Sequence, residues 1–298
     1  MKRDNVFREE QKPFMIIDSH NHPYYQMMNL EKTLENMKRF NIDRTWLLSL
    51  ETPEHEAWPV YHPKTFGTED AAIPFAHCLE YVRNAPDKFV LGYAPDPRQP
   101  HVIQKMEAAI ELYGVRVCGE IMLRMTYDHP DAISLFRYCG EKELPVIVEV
   151  NYGVEEEGPF AQPGYWYGGG IEAFERLVRA CPDTVFLGHG PGFWAHISGD
   201  DLYQTMSYPQ GEIVSGGKVI EMMRTYDNLY CDLSAYSGYN ALTRTPSFGK
   251  EFLLEFQDRV LYGRDCWDNN LQLFLNGAGF TEEVLYKIYA GNSLKLVP

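Results

Sequence analysis

His20 and His22 stand two residues apart, directly after the apolar run Phe14-Met15-Ile16-Ile17. Alternate residues of a β-strand project to the same face, so both imidazoles can grip one ion. Neutral imidazole is a ligand for borderline transition metals, and a strand end holds two of them with little ordering cost. Three further apolar runs end in side chains of matching chemistry. Val115-Arg116-Val117-Cys118-Gly119 leads to Glu120, Val185-Phe186-Leu187-Gly188 to His189, and Arg259-Val260-Leu261-Tyr262-Gly263-Arg264 to Asp265. A fold that gathers strand ends in one place turns these residues into a single metal centre.

The elements needed to position them alternate along the whole chain. Apolar runs of strand length fall at 14–20, 45–50, 89–94, 115–122, 145–150, 184–187, 229–233 and 260–263. Each is followed by a helical pattern, at 30–40, 73–82, 102–112, 132–142, 171–181, 219–226, 248–256 and 282–296. Eight strands each followed by a helix predict an α/β fold, a single (β/α)8 TIM barrel, whereas an open doubly wound sheet usually stops earlier. The strands are near-continuous apolar runs, as parallel strands buried on both faces require. Active sites of such barrels lie at the C-terminal ends of the strands, where His20, His22, Glu120, His189 and Asp265 all fall.

The composition agrees with one soluble domain over residues 1–298. The chain is 45% hydrophobic and 23% charged, and no Pro/Gly/Ser linker divides it. A net charge of −15 lacks the basic footprint that nucleic acid or an anionic membrane surface demands. A small-molecule substrate is the expected partner, and the sequence leaves a homo-oligomer open. The six cysteines form no Cys-x-x-Cys pair, and several sit inside apolar runs, so a reduced, cytoplasmic setting is expected. The polar stretch from Met1 to Lys12 and the lack of any long apolar segment predict neither a signal peptide nor a membrane span.

With this ordered set of strand ends in view, the chain resembles the amidohydrolase superfamily, in particular its amidohydrolase-2 branch of hydrolases and decarboxylases. The resemblance is carried by Asp18-Ser19-His20-Asn21-His22 on strand one, His189 ending strand six, Gly263-Arg264-Asp265 ending strand eight, and the closing helix Tyr289-Ala290-Gly291-Asn292-Ser293-Leu294-Lys295-Leu296. It implies that His20, His22 and Asp265 bind metal, and that His189 is either a ligand or a catalytic polariser. Two departures alter the metal chemistry. Members often carry a ligand histidine after Leu-Pro-Val-x-x on strand five, where Leu144-Pro145-Val146-Ile147-Val148 is followed here by Glu149; and strand four has Glu120 but no lysine to bridge two metals. The resulting oxygen-rich shell, for one or two ions, makes manganese or iron an alternative to zinc, the first expectation.

A buried, unpaired carboxylate is expensive, so Glu120 and Glu149 must face either a metal or a cation such as Arg116 or Arg124. Asp18 reads as a hydrogen-bonding support, and Asp232 and Ser234 as a second layer or, for Ser234, a helix cap. His62 and His196 lie on loops that can cover the site. Aromatic side chains crowd the same loops, among them Tyr24, Trp58, Tyr61, Tyr152, Trp166 and Trp194. Tyr152 and Trp194 are expected to touch substrate, and Arg124 to pair with a substrate carboxylate.

The inventory predicts a metal-dependent hydrolase of an amide, lactone or ester. The ion acidifies a water and polarises the carbonyl, while Asp265 moves the proton and His189 stabilises the oxyanion. The alternatives are non-oxidative decarboxylation of an aromatic or enoic acid and a barrel that binds a ligand without turning it over.

Overall fold

The computed structural model describes residues 14–53, 55–56, 73–154 and 163–298; Trp58, Tyr61, His62 and the stretch from Met1 to Lys12 lie outside them. The short apolar runs form eight parallel strands in sequential order: β1 Ile17–Asn21, β2 Arg44–Leu47, β3 Phe89–Tyr93, β4 Val117–Ile121, β5 Val146–Glu149, β6 Phe186–His189, β7 Leu229–Asp232 and β8 Val260–Leu261. Two backbone hydrogen bonds join the last strand to the first, from Ser19 N–H to Tyr262 O and from Asp265 N–H to His20 O, at 2.9 and 2.8 Å. The architecture is the expected (β/α)8 barrel.

Alternation within the strands sorts side chains into two cores. Ile17, Trp46, Leu48, Val117, Ile147, Leu187, Tyr230 and Leu261 form the barrel interior. Their neighbours, such as Leu47, Cys118, Val146, Val148, Phe186 and Cys231, pack outward against the helices. Counting by twos from the interior residues brings Glu149, His189, Asp232 and Asp265 inward at the strand ends. The same count on β1 and β4 would turn His20 and Glu120 outward. Register shifts between Asp18 and Asn21 and between Cys118 and Ile121 correct this, because an irregularity in a strand re-aims the side chains that follow it.

Most helices match expectation closely; the pattern at 132–142, for instance, is the helix Pro130–Glu141. The expected last helix is interrupted. A π-helical turn, Lys287–Gly291, separates Glu282–Tyr286 from Asn292–Leu296. There the Ile288 carbonyl accepts from Tyr262 N–H at 2.9 Å, and Asn292 Nδ2 donates to Val260 O at 2.7 Å, so the wide turn serves the backbone of β8. Among the described residues, three α-helices have no counterpart in the pattern: Pro191–Ala195, Ala235–Thr243 and Asn270–Gly277. No helix among the described residues is long and apolar enough to cross a membrane.

Candidate metal centre

Five strand ends converge above the interior core. His20 Nε2 and His22 Nε2 are 3.2 Å apart, and Glu120 Oε2 lies 3.4 and 3.3 Å from them. Asp265 Oδ1 stands 3.5 Å from His22 Nε2 and 3.9 Å from His20 Nε2. Donors around one ion at bonds of about 2.1 Å would be separated by about 3.4 Å in a tetrahedron, and the contacts of His20 and His22 with each other, with Glu120 and with Asp265 lie around that value. On the other side of Glu120, Oε1 faces His189 Nε2 at 3.6 Å, and Glu149 completes a second group with these two residues.

Each imidazole is oriented by its far nitrogen, as ligand histidines are. His22 Nδ1 meets Leu48 O at 2.8 Å, and His20 Nδ1 meets Asp232 Oδ2 at 2.5 Å. His189 Nδ1 lies 3.1 Å from Ser234 Oγ. With Nδ1 so engaged, the Nε2 atoms of all three imidazoles face the carboxylates. Glu149 Oε1 accepts from Asn151 Nδ2 at 3.1 Å, a contact with no signal in the sequence.

The electrostatics call for a cation. Among the described residues, no lysine or arginine forms an ion pair with Glu120, Glu149, Asp232 or Asp265; Glu120, Asp232 and Asp265 instead meet the histidines. Arg116 and Arg124 are therefore not the partners of the two glutamates. Burial works to lower the His20 pKa, yet Asp232, Glu120 and Asp265 outweigh it and hold the imidazole well above its ordinary value. Burial, then the charge of Glu120, pushes Glu149 up to about 8. Burial also raises Asp265, against the pull of His20 and His22. Glu120 Oε1 is buried without a hydrogen-bond partner. An orphaned oxygen among imidazole and carboxylate donors fits a divalent metal.

The remaining expected residues divide. Asp18 is a support: Oδ2 accepts from Arg264 Nε at 2.8 Å and Oδ1 from Arg264 N–H at 2.8 Å. Ser234 caps no backbone amide and turns its hydroxyl to His189. Tyr152 ties two loops together, its hydroxyl meeting His196 Nε2 at 2.7 Å and accepting from Ile171 N–H at 2.9 Å. Arg124 lies over the rings of Tyr165 and Trp166, 5.7 and 6.0 Å from their centroids. Trp194, expected at the substrate, is instead a core residue, 2% exposed. Its indole N–H donates to Asp232 O at 3.0 Å and its ring packs against Phe193 and Phe252. Sequence reading also missed Glu56 and Asp96, from the loops after β2 and β3, which close on Arg98 at 2.7 Å each.

A parallel (β/α)8 barrel with imidazoles and carboxylates converging at its strand ends defines the class. A family model described as amidohydrolase matches residues 17–298, and the chain belongs to that family. None of the curated proteins compared with it matches. Several solved structures share the fold. An uncharacterised TIM-barrel protein from Bordetella bronchiseptica is 16% identical, with a TM-score of 0.63, covering 95% of this chain and 98% of its own. A dihydroxybenzoic acid decarboxylase from Polaromonas, solved with bound manganese and the inhibitor 2-nitroresorcinol, is 13% identical, with a TM-score of 0.56 over 95% and 96%. A probable 2-pyrone-4,6-dicarboxylic acid hydrolase from Acinetobacter baumannii is 9% identical, with a TM-score of 0.59 over 95% and 99%.

Proposed function

We propose that the protein is a metal-dependent hydrolase that cleaves an amide, lactone or ester bond of a small molecule. The observation that carries this reading is the position of Glu120, with Oε2 toward His20 and His22 and Oε1 toward His189. A carboxylate so placed suits a centre for one ion held with Asp265 and a second held with Glu149 and His189, and paired ions suit hydrolysis. When bound, such ions acidify water and polarise the scissile carbonyl. The donor set suits zinc, and its oxygen-rich character suits manganese or iron as well.

Asp265 is the accessible carboxylate of the set, with 17% exposure against 4% for Glu120. It takes a proton from the attacking water as the new C–O bond forms, then returns it to the leaving nitrogen or oxygen as the old bond breaks. His189, held through Nδ1 by Asp232 and Ser234, offers Nε2 to the second ion, and it is to that ion's charge that the developing oxyanion would turn. The free, mostly buried cysteines suit a reducing, cytoplasmic setting.

A second reading is decarboxylation of a planar acid, favoured by Arg124 among Tyr165 and Trp166. Metal analysis of untreated protein, then lactones, amides and aromatic acids with product mass detection, tests both. Solvent ¹⁸O in the product supports hydrolysis; release of CO₂ with a solvent proton on carbon supports the second reading. Metal-bearing protein that turns over none of them is a binding barrel, and hydrolysis is then rejected.

A further inference from the structure

Asp232 ends β7 with a buried carboxylate that meets two histidines from two other strands. One oxygen, Oδ2, lies 2.5 Å from Nδ1 of His20 on β1 and 3.3 Å from Nδ1 of His189 on β6. The other oxygen accepts from Ser234 N–H at 3.0 Å, and the Asp232 carbonyl accepts from the Trp194 indole. The carboxylate is thus fixed from its own loop and from the core.

Asp232, His20 and His189 also lie close enough together to form a metal group of their own, but the contact lengths argue otherwise. Two ligands of one ion stand about 3.4 Å apart at metal bonds of about 2.1 Å. At 2.5 Å, Asp232 and His20 have room for a shared proton and none for an ion. Both contacts fall on Nδ1, while each Nε2 faces Glu120.

We propose that Asp232 is a positioning residue shared by both sides of the metal centre: one oxygen sets the tautomer of His20 and of His189 together. The assignment rests on the metal-centre reading above. It predicts that one substitution disturbs both histidines, whereas loss of the Ser234 hydroxyl disturbs only His189.

The test uses the full chain labelled with ¹⁵N-histidine, with Mn²⁺ binding followed by calorimetry and imidazole protonation by NMR of the Zn²⁺-loaded protein. In the wild type, His20 and His189 should both carry their proton on Nδ1. Asp232→Asn should shift both resonances and weaken Mn²⁺ binding about 10- to 100-fold, the usual effect of losing an outer hydrogen-bond partner. Ser234→Ala should shift His189 alone. Wild-type His189 with its proton on Nε2, or Asp232→Asn binding Mn²⁺ as tightly as the wild type, overturns the assignment. Should Asp232→Asn fail to fold, the wild-type spectrum still decides. A wild type that takes up no metal defeats the proposed function as well; normal uptake with an unaffected variant defeats this assignment alone.

Discussion

The amide of Asp265 donates to the carbonyl of His20 at 2.8 Å, and the same two residues face each other through Oδ1 and Nε2 at 3.9 Å. The final strand is latched to the first at residues that also carry the proposed ligand atoms. Asp265 has φ of +46°, a left-handed conformation that aspartate tolerates better than most residues. Its neighbours hold it there: Arg264 is bound to Asp18, and Cys266 O accepts from Asn21 Nδ2 at 2.9 Å.

Asp265→Asn keeps the shape and one oxygen but removes the proton acceptor. Turnover of an identified substrate should fall about 100-fold or more, the scale of a general acid–base group. A wild-type rate in steady-state kinetics would show that Asp265 is structural.

Asp18→Asn should test the latch itself. Asp18 and Arg264 are a buried pair at 2.8 Å, with side chains 0% and 2% exposed. Removing one partner leaves a buried charge uncompensated, at a cost of about 3 to 5 kcal/mol. Urea unfolding should show a lower midpoint with an unchanged slope. A loss below about 1 kcal/mol would mean that the pair does not secure the strand ends.

Glu149 supplies a pH dependence. In metal-free protein it keeps its proton up to about 8, against an ordinary value of 4.5, because burial and Glu120 disfavour the anion. Between those values the unfolded chain is ionised there and the folded chain is not, so the unfolded state binds fewer protons. The stability contributed by this group therefore declines as pH rises through that window. Glu149→Gln, neutral throughout, should lack the decline. The unfolding free energy of chelator-treated wild type minus that of the variant should fall from pH 5 to pH 8; a flat difference contradicts the burial of this carboxyl. The variant should also retain Mn²⁺ at least about tenfold more weakly.

Gly190 separates His189 from the helix Pro191–Ala195 at φ of +89°, and a Cβ there would meet Glu149 Cγ at 2.6 Å and Val150 O at 2.9 Å. Gly190, at ψ of 166°, holds an extended positive-φ conformation open essentially to glycine alone, so Gly190→Ala should cost more than the about 1 to 3 kcal/mol of that conformation, and should displace Glu149. Thermal unfolding and metal content measured on one sample check this, and an unperturbed metal content would place Glu149 outside the centre.

The barrel, and the meeting of His20, His22, Glu120, Glu149, His189 and Asp265 at one end of it, were legible because most of these strands are short apolar runs that end in the residue carrying the chemistry. What was hidden depends on partners far away in the chain. Asp18 and Arg264, or Glu56 and Arg98, make their pairs only after folding, and no local spacing announces them. The helix Ala235–Thr243 was missed because its sequence AYSGYNALT has little apolar periodicity. Trp194 was misread because an aromatic residue beyond a strand end suits either a cavity wall or a core. His20 and Glu120 were expected at the site, but the register shifts in β1 and β4 that turn them inward leave no mark in the local sequence.

The seam between β1 and β8 runs through the proposed ligand set, so a metal held there would double as a check on assembly. During synthesis His20 and His22 emerge early and Asp265 late, and contacts between distant parts of a chain form slowly. A one-residue slip of β8 would turn Asp265 to the opposite face and leave the two imidazoles without their carboxylate. Misregistered chains would then forgo the binding free energy of the ion, which accrues only to the state whose ligands are all in place. If the proposed centre holds its ion, metal supply during folding would in this way bias the yield of correctly closed barrels, apart from the chemistry proposed for it.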